Sequence, residues 1–441
     1  MKLKLTLFFV VLIFNSVAGA FSTMVMPAAD RIIRLLIVGG DAIMIAMALS
    51  AVWPRRSFYG ARYLVAFLLV STLTFIYNLD RFGFPEHLNG IRETLFFFAS
   101  LLVVHDLYES RQRLTFIRVF SRFLIVFAIA QIPVAFLQFL KFGAGDLVGG
   151  TYGTGGGSGY LSQLLFLLTF YFVVRYASLD DGAQFSITRM LFFLPALIPC
   201  ALNETKISFF LLAGFIILMV SSPRKIYRAV PLLILGAAMM YLLFYYYIET
   251  VSDTRGIFDQ DYIEKYLLTS RTGVGDDLPR FQRVIIMFRM MGDDVGSILL
   301  GMGYGVLGGG NIMNVSRLGR ALYYLVTGSR ILLFRAWIQG GALAVLLVAG
   351  AMFGYLRSRS ENYFTLRQFG WFVAFSMMVV WVYNEAVFDR VFAPITAFLM
   401  IWIRGGGLLG EQEPSGTGTE ALDSGGEVSE TEGPEEDDRA R

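Results

Sequence analysis

The sequence predicts an all-α membrane protein: a polytopic helical bundle of about 12 transmembrane helices, with one large outer loop containing short helices. Three observations predict it. Of 441 residues, 56% are hydrophobic and only 16% charged, whereas soluble domains average roughly 45–50% apolar and about 25% charged. Apolar runs able to cross a ~30 Å hydrocarbon core, which takes ~20 residues, recur along the chain. Lys and Arg alternate between the connections in the sense the positive-inside rule expects. The single cysteine, Cys200, excludes an internal disulfide and with it a disulfide scaffold.

The expected spans, in order, are Leu5–Met26, Ile32–Val52, Arg62–Asn78, Ile91–His105, Phe116–Phe139, Tyr160–Arg175, Ile187–Leu202, Ile207–Val220, Ala229–Ile248, Ile331–Leu356, Phe369–Tyr383 and Val391–Ile403. The first has a rival reading as a cleaved signal peptide, with a basic start at Lys2 and Lys4 and small residues at Val17-Ala18-Gly19-Ala20. The apolar run continues through Met26, long enough to span, and this favours retention. The second carries Asp41 beside Gly39-Gly40. A charge at that depth must find a cation or a proton. The fourth is the weakest, short and Phe-rich, with a re-entrant segment as its alternative reading. With the N-terminus placed inside, the inner segments hold 18 Lys and Arg and the short outer ones 7, so both termini fall on the cytoplasmic side.

The chain divides into residues 1–248 (spans one to nine), 249–329 (the large outer loop), 330–405 (spans ten to twelve) and 406–441 (a tail). Residues Glu411–Arg441 carry 11 acidic and 2 basic residues among Gly, Ser, Thr and Pro, too little apolar surface to offset ordering entropy. The rest holds 35 basic and 23 acidic residues, a net +12 that the overall +3 conceals. The excess is spread between apolar segments rather than gathered in one patch, which argues against a nucleic-acid partner.

Several segments carry candidate chemistry. Residues 142–159 are glycine-rich and include Tyr152. Asn203-Glu204-Thr205-Lys206 forms a short outer turn, where Lys206 either snorkels to headgroups or meets a phosphate. In the large loop, Pro279 opens a helix through Met291, with Phe281, Val284, Ile285 and Phe288 on one face. Arg280 and Arg283 flank that stripe. The helix is either an interfacial anchor or a grip on a lipid-linked phosphate. Gly301, Gly303 and Gly305 make a tight turn. No strand–helix crossover or GK[ST] accompanies them, so a nucleotide role is unsupported. Arg330, Arg335 and Gln339 open span ten. Arg335 lies inside the apolar run, at a cost of ~2.5–3.5 kcal/mol unless paired. Glu385, Asp389 and Arg390 line the last outer turn. Two His and one Cys leave no basis for a zinc or haem site. Acidic pairs such as Asp276-Asp277, Asp293-Asp294 and Asp259-x-Asp261 read as solvated loop rather than as an ion site. No cofactor and no metal are expected.

Over most of residues 1–405 the pattern resembles the bacterial O-antigen polymerase and O-antigen ligase family. The features that carry the resemblance are Gly150-Thr151-Tyr152-Gly153-Thr154 before span six, Thr205-Lys206 opening span eight, Arg280–Met291 followed by Gly301–Gly305, and Gly340-Gly341 after Arg335-Ala336-Trp337. One departure separates the family's branches. Its ligases carry His-Asn just before span ten, where this chain has Ser329-Arg330, and the large loop holds no His. The resemblance therefore implies a polysaccharide polymerase of the bacterial inner membrane with a periplasmic large loop. It would transfer glycan between undecaprenyl-pyrophosphate-linked repeat units without a metal. It implies a catalytic set of Arg280, Arg283 and Lys206, which would stabilise the departing pyrophosphate, and of Glu204 and Glu385, which would deprotonate the acceptor. Arg330, Arg335, Gly301, Gly303, Gly305 and Tyr152 would contact pyrophosphate or glycan. The expected partners are that lipid-linked oligosaccharide, membrane lipid, a chain-length regulator and a flippase. The alternatives are a ligase-type glycan transferase and a lipid-linked oligosaccharide flippase or transporter; the latter should show two related halves with discontinuous helices.

Overall fold

Lipid offers no partner to backbone N–H and C=O groups, so apolar runs of this length must satisfy them internally, as helices. The computed structural model describes residues 2–52, 59–143, 145–154, 157–177, 192–203, 205, 207–220, 280–307, 322, 331–356 and 364–405. Among these all regular structure is helical: α1 (Lys2–Ala20), α2 (Asp30–Val52), α3 (Tyr59–Tyr77), α4 (Phe84–Tyr108), α5 (Arg113–Phe142), α6 (Ser158–Phe172), α7 (Ile198–Leu202), α8 (Ile207–Val220), α9 (Arg280–Met291), α10 (Val295–Leu300), α11 (Leu332–Leu356), α12 (Phe364–Tyr383) and α13 (Phe392–Arg404). Eight helices, α1 to α6 with α11 and α12, are long and apolar enough to cross a membrane, so the fold is that of a multi-pass membrane protein. The expected span Ala229–Ile248, most of 249–329 and the acidic tail lie outside the described residues.

Burial sorts the helices into an inner and an outer group. Phe96 to Val104 of α4, Leu161 to Phe172 of α6 and Phe392 to Ile403 of α13 are buried on every side, the mark of helices enclosed by others. By contrast α1, α2 and α5 leave Val10, Ile13, Leu35, Leu36, Val126 and Ile129 exposed, more apolar surface than a water-soluble monomer shows. The fourth span is thus neither short nor re-entrant. Its first turns, Pro85 to Asn89, are polar and hide the start of a 25-residue helix from an apolar window.

The chain alternates between two ends of the bundle. At one end Lys4 of α1 pairs with Asp106 of α4 at 2.6 Å, His105 meets the Tyr355 hydroxyl at 3.1 Å, and Arg113 donates to Tyr108 at 2.8 Å. At the other end the Tyr77 hydroxyl donates to Asp294 at 2.5 Å, and the Leu332 amide donates to the Asn384 carbonyl at 2.8 Å. The buried charged groups described below lie at this second end.

Two insertions shape that end. The first is the turn Gly150–Tyr152, held by two glutamines buried in α5. Gln138 accepts from the Gly150 amide at 2.7 Å and donates to its carbonyl at 2.9 Å. Gln131 accepts from the Thr151 amide at 2.9 Å and donates to its hydroxyl at 2.9 Å. Gln138→Ala leaves the buried Gly150 amide unpaired, while the Gly150 carbonyl keeps its bond from the Gly153 amide at 3.1 Å, so it should cost about 1–3 kcal/mol. Thermal unfolding of the detergent-purified protein checks this, and an unchanged midpoint would mean that the turn is held by other contacts.

The second insertion is residues 280–307. The expected stripe of α9 is only partly covered: Ile285 is exposed, while Val284 packs on the neighbouring cluster and the Phe288 ring lies edge-on to Trp337 at 4.8 Å. The buried stripe is Arg283, Met287 and Met291, spaced i, i+4, i+8, in an apolar cluster that includes Ile331, Phe334 and Ile338. An arginine's long apolar stem lets it join such a stripe. Asp294 then caps α10, accepting from the Gly296 amide at 3.1 Å and the Ser297 hydroxyl at 2.6 Å. The turn that follows docks onto α11 where that helix is broken. Gly341 stands at φ 64° inside it, and a side chain there would overlap the Leu299 carbonyl. The Met302 amide donates to the Ile338 carbonyl at 2.8 Å, which satisfies a backbone group beside the break. Tyr304 enters edge-on to Phe67 and His87.

Candidate functional site

The first half of α11 carries Arg335 inward, only 4% exposed. A lone guanidinium there is unfavourable by ~2.5–3.5 kcal/mol, and three polar partners and one ring compensate it. Glu93 of α4 forms an ion pair with its Nη2. Glu385 stands 3.3 Å from its Nη1, as an ion pair rather than an aligned hydrogen bond. Gln339, one turn on, accepts from its Nε at 3.4 Å. The Phe388 ring lies 4.7 Å away, and such cation–π contact favours the charged form.

A second arginine stands beside the first. Arg390, in the turn before α13, donates from Nη2 to Glu93 at 3.3 Å. It also reaches Asp41, from Nε at 3.2 Å and from Nη2 at 3.2 Å. Asp41 is fully buried in α2 and also pairs with Arg92 at 3.1 Å. The question its depth raised is thus answered by two cations. Asp41, Glu93 and Glu385 interleave with Arg92, Arg335 and Arg390, so their formal charges cancel. Burial works against the Arg390 charge, but Glu93 and Asp41 outweigh it and raise its pKa.

The turn that supplies Glu385 and Arg390 is not the surface turn expected. Asn384 to Phe388 are buried. The turn's neighbours enclose it: α4 packs on it, α6 reaches it through Gln163, and α11 through the Leu332 amide, so its irregular backbone is satisfied by protein. Asn384 is its anchor. Its side chain donates to Gln163 of α6 at 3.2 Å and accepts from the Ala386 amide at 3.1 Å. Asp389 accepts from the Val391 and Phe392 amides at 2.8 Å each. Burial raises the Asp389 pKa against those bonds. The Tyr152 hydroxyl lies beside Asp389. Burial, then that carboxylate, pushes the Tyr152 pKa well up.

No protein-family model matches the chain, and no curated protein matches it.

Of the expected site residues, Arg335 and Glu385 are in direct contact, and Tyr152 faces the same buried turn. Gly301, Gly303 and Gly305 lie against the Arg335 half-helix or its neighbours, with Gly301 packed on Gln339 and Gly340, and Gly303 and Gly305 on Phe82. Arg283 is 1% exposed, on the face of α9 shared with Met287. Arg280 opens α9, and its side chain lies outside the described residues, as do Glu204, Lys206 and Arg330. Thr205, between two of these, is fixed in a buried cluster with Asn203 and Ser162, at 2.8 and 2.6 Å.

Sequence reasoning missed Glu93, and it placed Arg92 in an outer connection. The signal was present: a cation–carboxylate pair one residue inside an apolar run, on the same side as Arg335 and Arg390. What such a cluster can do is hold two guanidiniums side by side in a water-poor setting, where they act strongly on a developing anion.

Proposed function

We propose that the protein is a bacterial cell-surface polysaccharide polymerase, working on O-antigen, capsule or exopolysaccharide. It would join undecaprenyl-pyrophosphate-linked repeat units on the periplasmic face of the inner membrane, with both termini cytoplasmic. The observation that carries this reading is the pair Arg335 and Arg390, set side by side by Glu93. They lie at the bundle end onto which residues 280–307 fold. Two adjacent guanidiniums match the oxygens of a phosphate group. In the reaction, the bond between the sugar anomeric carbon and the pyrophosphate oxygen breaks, and the pyrophosphate leaves with the electron pair. The acceptor hydroxyl oxygen bonds to that carbon, and its proton passes to a carboxylate. Glu385, already engaged by Arg335, serves best to orient the guanidinium, and Arg283 adds positive charge on α9.

The broken helix α11 favours one other reading, a flippase or transporter, since such helices line transport sites. Here the break has another occupant, the turn Gly301–Gly305. The glycan profile of a deletion strain separates the readings. A polymerase deletion leaves lipid-linked single repeats on the surface, and a flippase deletion leaves none. A ligase deletion leaves polymer unattached to lipid A core. Complementation with Glu385→Gln should lower long-chain product about 10–100-fold by loosening Arg335. Wild-type chain lengths from that variant at equal membrane abundance would remove Glu385 from the site.

A further inference from the structure

The cluster at the end of α11 is self-neutralised, and a neutral cluster does not draw in a polyanion. For a pyrophosphate to bind there, a carboxylate must give way. The three carboxylates are not equivalent. The side chain of Asp41 is 0% exposed, that of Glu385 10% and that of Glu93 31%. Asp41 is clamped by Arg390 and Arg92, and Glu385 sits on the Arg335 nitrogen away from Glu93. Glu93 alone bridges the two arginines, one carboxylate oxygen to each. A phosphate group can bridge two guanidiniums in the same way, two oxygens on one centre each meeting one of them.

We infer that Glu93 is a built-in counter-ion that occupies the pyrophosphate position in the empty site and is displaced by the substrate's phosphate. This deepens the polymerase reading and rests on it. When Glu93 swings away, Arg335 keeps Glu385 and Arg390 keeps Asp41, so neither arginine loses its position. The site changes from neutral to a net positive charge on the two facing guanidiniums. After glycan transfer the returning carboxylate helps to expel the product. Glu93 is in this sense a positioning and specificity residue: it holds the arginines side by side until the phosphate arrives, and it excludes weak monoanions that cannot compete with a carboxylate already in place.

The test is binding of inorganic pyrophosphate to the full-length protein in detergent, by calorimetry, for wild type, Glu93→Gln and Glu93→Asp. Glu93→Gln keeps the shape and removes the competing charge, so it should bind pyrophosphate about tenfold or more tightly than wild type, as expected where two anions compete for one pair of cations. In the polymerase assay it should lower KM and kcat together, because product leaves slowly. Glu93→Asp keeps the charge on a shorter arm that cannot bridge both arginines, and should fall between the two. A purely structural role for Glu93 would weaken binding in both variants. Equal or weaker binding by Glu93→Gln, or no binding by any form at millimolar pyrophosphate, overturns the inference. Should Glu93→Gln fail to fold, tighter binding by Glu93→Asp than by wild type supports it and equal or weaker binding overturns it. Tighter binding by Glu93→Gln in a protein whose deletion leaves glycan chain length unchanged would uphold the counter-ion exchange and remove the polymerase reading.

Discussion

Arg335→Ala should abolish long-chain polymer and destabilise the protein together. Loss of one fixed cation from a developing oxyanion typically lowers rate about 10²–10³-fold. Removing one partner of a buried ion cluster costs about 3–5 kcal/mol, because Glu93 and Glu385 are left facing a site without their cation. Arg335→Lys separates the two effects. It restores the charge, but a single ammonium cannot engage Glu93, Glu385 and Gln339 from three separate nitrogens, as the guanidinium does. The lysine variant should therefore recover most of the stability and little of the activity. Unfolding midpoints of the detergent-purified variants and glycan chain-length profiles read the two effects independently. Long-chain polymer from the alanine variant at normal abundance would take Arg335 out of the site.

Gly341→Ala should be the most damaging conservative change in α11. The residue stands at φ 64°, where a Cβ costs about 1–2 kcal/mol. That Cβ would also strike the backbone of Leu299, which belongs to another helix and cannot yield by a rotamer change. A total of about 3 kcal/mol or more follows, released by lifting Gly301–Gly305 off the break. Gly39→Ala in α2 is the internal control. A side chain there meets nothing within 4 Å, so that variant should be neutral or slightly more stable, since alanine is the better helix former by ~1 kcal/mol. A small effect at Gly341 would show that the break in α11 is not imposed by the docked turn.

The parts of the fold legible in the sequence are those governed by one-dimensional pattern. Long apolar runs mark helices α2, α3, α5 and α8 to within a few residues, and the glycines at 301–305 and 340–341 mark where backbones touch. The burial of Arg335 followed from a charge inside an apolar run. Harder to see was anything decided by enclosure. Glu93 belongs to a helix whose polar first turns resemble a loop. Glu385 and Arg390 belong to a turn enclosed by helices that are distant in sequence. Arg283 was placed on a flank because its charge outweighed its stem in the periodicity, while packing against Met287 and Met291 used the stem. The glutamines at 131 and 138 are one heptad apart in an apolar span, and only the inserted turn gives them a purpose.

The six charges of the cluster also tie together the two extremities of the chain. Glu93 and Arg335 are 242 residues apart, Glu93 and Arg390 297, and Asp41 and Arg390 349. During synthesis α2 and α4 are made long before their arginine partners, with only Arg92 at hand for two carboxylates. The lattice closes when the last turn before α13 arrives. A chain cut short between residues 94 and 334 holds Asp41 and Glu93 with Arg92 as their one cation from the cluster, and leaving a buried charge without its partner costs about 3–5 kcal/mol.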